Sequence, residues 1–139
     1  MTYSGFLPSS TPETEPFWQA ARTGALVLQR CTACRTWRMP PAPVCPACGS
    51  TDRAWEAAAG TGTVYSYVVN HRPSPGYPDV PFCTAVVELA EGVRLMGTLV
   101  GVDATDDLGL LDTPVRVEFE AVDDVIALTR FRPVRAGDE

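Results

Sequence analysis

The apolar positions follow two different periods along the chain. Before residue 25 they are sparse and helically spaced. Phe17, Trp18, Ala20 and Ala21 fall on one side of a short helix, because residues three and four apart share a helix face. Thr14 suits the cap, Glu15 and Pro16 suit the first turn, and Gly24 ends the segment. The face either packs on the body of the protein or lets Phe17 and Trp18 dock a partner. From Thr61 onward the period shortens to two. Val115, Val117 and Phe119 alternate with Arg116, Glu118 and Glu120, as a half-buried strand requires. Residues 64–69 are β-branched and aromatic behind a Gly60-Thr61-Gly62 break. Residues 82–89 and 93–102 read as two strands joined by a tight Glu91-Gly92 turn, and 125–131 as a last strand after an Asp123-Asp124 turn. Residues 25–30 read as one short strand leading into the cysteines. No segment after residue 24 sustains a helical period.

This pattern predicts a mainly β protein. A flexible N-terminus (1–15), rich in Ser, Thr, Pro and Glu, precedes a short helix with a cysteine module (16–53). A five-stranded unit (54–135) and a flexible tail (136–139) follow. Five strands in so short a stretch must close up to bury their inner faces and hide their edges. A Greek-key barrel of the OB type does this economically; an open sandwich fragment is the alternative.

The cysteines change the picture most. Cys31, Cys34, Cys45 and Cys48 form two C-x-x-C pairs. That spacing delivers four thiolates to one tetrahedral zinc, as in a rubredoxin-like ribbon. Four protein ligands leave no open position, so the zinc is expected to be structural, one per chain. A redox role would want a βαβ context that is missing. Cys83 stands apart in a buried-looking strand and reads as a core thiol. The N-terminus lacks a secretory pattern, and the uncharged run between Arg38 and Asp52 is too rich in Pro and Cys for a membrane helix. The expectation is a cytoplasmic protein.

Composition mainly excludes. A chain of 139 residues is one domain or two very small ones. It contains no lysine, which removes Schiff-base and P-loop chemistry. It has one histidine, His71, so sites needing two imidazoles are excluded, and no nucleophile-elbow motif supports a triad. The net charge of −6 opposes nucleic-acid binding, although Tyr65, Tyr67 and Phe82 could stack bases on an OB barrel. The charge is uneven. Residues 1–53 carry five arginines against three acids, and 54–139 carry six against fourteen. The first group either holds phosphates of a ligand such as coenzyme A or is a solvated face. Loop 72–82 holds four prolines with Tyr77 and Phe82, a preorganised contact surface. His71, at its start, is either a hydrogen-bonded structural residue or an acid–base group.

The order of these motifs resembles the acyl-CoA-associated zinc-ribbon/OB-fold family once called domain of unknown function 35. The resemblance rests on Phe17-Trp18, Gly24, residues 26–31, the second cysteine pair, residues 60–67, His71-Arg72-Pro73, Val87-Glu88-Leu89, residues 91–95, Leu99-Val100-Gly101 and Phe131-Arg132-Pro133. Arg35 stands where that family commonly has glycine, Gly97 where it has a polar amide, and Leu111-Asp112-Thr113 departs from its usual turn. The resemblance implies a non-catalytic subunit of a thiolase-fold enzyme, a thiolase or an acyl-CoA retro-aldolase, including steroid side-chain degradation. Partnership with a MaoC-like enoyl-CoA hydratase or a polyketide-type acyltransferase is the alternative. It implies a hetero-oligomer, with a coenzyme A thioester as ligand of the complex. Phe17, Trp18, His71, Arg72, Tyr77 and Phe82 are the candidate partner or acyl-CoA contacts.

Overall fold

The computed structural model describes residues 5–104 and 107–134. Helix α1 (Glu15–Arg22) buries Phe17 and Ala21, one turn apart. Thr14 occupies the N-cap but does not cap through its side chain. Its hydroxyl instead accepts the Thr11 amide at 3.0 Å, tying the cap to the preceding turn.

The cysteine module is a three-stranded antiparallel sheet in the order β2-β1-β3. Its strands are β1 (Val27–Cys31), β2 (Trp37–Arg38) and β3 (Arg53–Ala57). The sequence pattern predicts no strand over 53–57. The reason is that β3 buries neither face deeply, so it has no period of two. It is defined by pairing, from Val27↔Ala57 to Cys31↔Arg53.

The second unit is a closed five-stranded barrel, as the strand spacing predicts. β4 (Thr61–Asn70), β5 (Phe82–Leu89), β6 (Arg94–Leu99), β7 (Pro114–Ala121) and β8 (Ala127–Pro133) close in the order β4-β5-β6-β8-β7. Thr61 and Gly62, read as a break from sequence, belong to β4. A bulge between Val64 and Ser66 lets this long strand serve two neighbours, with its first residues paired to β7 as well as β5. β6 and β8 run parallel and share only Thr98↔Arg130 and Leu99↔Phe131.

One core joins the parts. Val64, Ala85, Val87, Leu95, Leu99, Val115 and Phe131 fill the barrel, and Phe17, Leu26 and Leu28 extend the same cluster under α1 and β1. The Phe17 ring meets Phe119 edge-on at 6.3 Å. Burying each such side chain contributes about 1.5–3 kcal/mol. Phe17 therefore packs on the body. No helix among the described residues is long and apolar enough to cross a membrane.

Candidate metal centre and docking cleft

The four ribbon cysteines converge. Their sulfurs all lie within 4.8 Å of one another. Cys31 Sγ is 3.6 Å from Cys48 Sγ, and Cys34 Sγ is 3.7 Å from Cys45 Sγ. A tetrahedron with bonds of about 2.3 Å has edges of about 3.8 Å, so zinc fits this group. A disulfide would need about 2.05 Å. Two matching knuckles hold the sulfurs. The Arg35 amide donates to Cys31 O at 2.9 Å and the Gly49 amide to Cys45 O at 2.8 Å. Both knuckle residues take positive φ, 66° for Arg35 and 79° for Gly49. That explains why glycine suits this place and what Arg35 costs, since an L-residue there is strained.

The thiols respond to this crowding. Hydrogen bonds from the Thr36 side chain and amide lower Cys34 to about 6. The Cys34 amide is the main influence lowering Cys31. At Cys48 the Ser50 amide pulls down, but the Cys31 thiol, burial and the other two sulfurs outweigh it and push the value up to about 12. Four thiolates this close need a divalent cation to ionise together, which again fits zinc.

The ribbon arginines are engaged within the chain. Arg30 lies over the Trp37 ring at 4.4 Å, and Arg30 and Arg35 both reach Glu56. Arg53 pairs with Glu13 at 3.0 Å. Arg38 is buried and donates to Gln29 Oε1 and to Ala42 O. Gln29 in turn donates to Glu13 at 2.8 Å.

A second site lies on the barrel. A cleft of about 430 Å³ is bounded by Trp18 of α1, Tyr77 of the β4–β5 loop, Phe82 and Thr84 of β5, Met96 of β6 and Arg130 of β8. Tyr77 and Phe82 stack at 4.9 Å. Arg130 donates to Glu120 at 2.9 Å and to the Tyr77 hydroxyl at 3.1 Å. The cleft thus gathers three of the sequence-predicted contact residues, Trp18, Tyr77 and Phe82. Phe17 lies beneath in the core. His71 and Arg72 are exposed and do not line the cleft. Of the possible base-stacking residues, Tyr65 is held under Arg94 at 3.7 Å and the Tyr67 hydroxyl is buried. Cys83 is buried in the barrel core. Sequence reasoning missed Arg130 and Met96. The available signal was an arginine inside the apolar run 126–131.

Fold and site together define a zinc-ribbon/OB-fold protein with a cleft on the barrel. The chain belongs to the DUF35 family of that architecture. Residues 18–53 match the ChsH2 rubredoxin-like zinc ribbon domain, and residues 55–120 match the ChsH2 C-terminal OB-fold domain. The solved "Ltp2-ChsH2(DUF35) aldolase" contains a chain with 42% identity and a TM-score of 0.81, covering 91% of this chain and 98% of that one. A probable enoyl-CoA hydratase alpha subunit of Thermomonospora curvata is 45% identical over 88% of this chain. The 3-oxo-4,17-pregnadiene-20-carboxyl-CoA hydratase alpha subunit of Mycobacterium tuberculosis is 41% identical over 69%. The chain spans only 38% and 30% of those two relatives.

Proposed function

We propose that this chain is a non-catalytic accessory subunit of a thiolase-like aldolase that cleaves an acyl-CoA, with a steroid-derived acyl group. The observation that carries this reading is the end-to-end similarity to the DUF35 chain of the Ltp2-ChsH2 aldolase. The steroid assignment draws on the pregnadiene-carboxyl-CoA named for the mycobacterial relative. The cleft chemistry is consistent with a binding role, since one arginine, an amide and hydroxyls position groups without attacking them. In this reading zinc stabilises the ribbon, the complex works in the cytoplasm on a coenzyme A thioester, and Trp18, His71, Arg72, Tyr77 and Phe82 form the contact region, with Phe17 packed against Trp18 from the core.

Co-expression with an Ltp2-type protein of the same genome is the test. A stable pair with retro-aldol activity that disappears without this chain supports the proposal. Failure to co-purify, with activity independent of this chain, sinks it. The hydratase alpha-subunit names of the two curated relatives favour a second reading, partnership with a MaoC-like hydratase. Hydration of an enoyl-CoA only in that pairing would replace the first.

A further inference from the structure

The cleft sits where an OB barrel offers its ligand face, on strands two and three flanked by two loops. Here β5 and β6 supply the strands, and Ser74 and Tyr77 come from the β4–β5 loop. Val125 of the β7–β8 loop continues the surface on the far side of Trp18.

The backbone beneath is open. The β6–β8 ladder holds two residue pairs and stops at Thr98↔Arg130. Residues 94–96 of β6 and 127–128 of β8 have no strand partner on that side among the described residues, while Gly97 and Thr129 still lie against each other. Two unpaired strand segments therefore border one wedge, and unpaired ladder edges recruit extended chains.

The side chains define what fits. Met96 is 63% exposed and, with Trp18, Phe82 and Leu128, gives the wedge apolar walls. Its lining contains one cation and no carboxylate, on a chain of net charge −6. That cation, Arg130, has a side chain only 9% exposed. Its Nε donates to Glu120 and its Nη1 to Tyr77 and to Thr129 O, and Nη2 has no hydrogen bond among the described residues. A polyanion is disfavoured by the acids of the barrel. Arg130 is already ion-paired with Glu120, so what remains is its Nη2, which can donate to one further acceptor such as a carboxylate beside apolar groups.

Resting on the subunit reading above, we propose that this wedge takes an extended peptide segment of the thiolase-like partner. The segment adds to the open ends of β6 and β8, sets an apolar side chain among Trp18, Tyr77, Phe82 and Met96, and presents a carboxylate to Arg130. The interaction is strand addition with one charge-assisted hydrogen bond.

Backbone hydrogen exchange of the full chain, alone and with its Ltp2-type partner, tests this. Partner binding is measured in parallel for Met96→Glu, Arg130→Gln and a ribbon control, Val44→Glu. Slowed exchange at 94–96 and 127–128 in the complex is expected. Binding should weaken by about tenfold or more in the two cleft variants and stay unchanged in the control. Met96 is exposed, so its variant keeps the fold even if Arg130→Gln does not. Wild-type binding with unaltered exchange at these strands and an unaffected Met96→Glu overturns the cleft proposal while leaving the subunit reading intact. No wild-type binding overturns the reading beneath it. Slowing in the isolated chain as its concentration rises assigns the wedge to a second copy, and slowing by an acyl-CoA alone assigns it to a small ligand. Either result overturns the proposal.

Discussion

Gly97 and Phe131 are two halves of one packing decision. A Cβ at Gly97 would lie 2.9 Å from the Phe131 ring and 3.0 Å from Thr129 O. The space a side chain would take is used by the largest fully buried residue of the core. This accounts for glycine at a position where the family resemblance leads one to expect an amide. Gly97→Ala should cost about 1–3 kcal/mol by overpacking, read as a lower Tm. Adding Phe131→Leu should recover part of that loss, because the two sites share one volume. Equal losses that simply add would refute the shared volume. Arg35 makes the opposite case. Its positive φ is strained, and its ion pair with Glu56 is solvent-screened, with the arginine side chain 54% exposed. Arg35→Gly should leave stability unchanged or raise it by at most about 1 kcal/mol, and a marked loss in chemical denaturation would show that the Glu56 contact matters more than the backbone.

Among the elements, the segment before α1 is tied down by side chains and not by backbone pairing. Glu13 accepts from Gln29 and pairs with Arg53, and these contacts hold its carboxyl below the ordinary 4.5. A depressed carboxyl contributes stability above its unfolded value, and the contribution disappears as pH falls through the folded one. Unfolding measured below pH 4.5 should therefore depend less on pH in Glu13→Gln, which should also be less stable at neutral pH. An unchanged pH profile would mean the tie is not formed in solution. These contacts also show what a sequence can disclose. The barrel was legible because each strand carries its own period or turn, and β7 writes its buried face as Val115, Val117 and Phe119. The ligand set was legible because the C-x-x-C spacing itself encodes the knuckles. β3 was not legible, since Arg53–Ala57 becomes a strand only by pairing with β1 from 22 or more positions away. Nor was the cleft, whose walls come from α1, a loop and four strands. Sequence named Trp18, Tyr77 and Phe82 as sticky residues, but only closure of the barrel sets Arg130 and Met96 beside them.

For the whole molecule, α1 couples the ribbon to the cleft. It packs on β1 of the ribbon and on β7 and β8 of the barrel. Its Trp18 forms a wall of the cleft, while its Phe17 shares a core with Leu26 and Leu28 beside β1. The position of β1 depends in turn on Cys31, whose sulfur belongs to the metal cluster. A structural zinc contributes folding free energy on the order of 10 kcal/mol, so its removal should melt the ribbon sheet. The barrel closes on itself without ribbon strands and should persist. Chelator titration of the full chain should therefore release about one zinc, change the emission of Trp37 and Trp55, and leave most of the far-ultraviolet β signal. Loss of β1 loosens α1 and with it Trp18. The metal-free chain should then bind its partner more weakly, even though no cysteine lines the cleft. Cys45→Ser should reproduce both effects, and Cys83→Ser, outside the ribbon, should leave zinc content unchanged. Undiminished partner binding by the metal-free chain would show that the barrel holds its cleft without the ribbon.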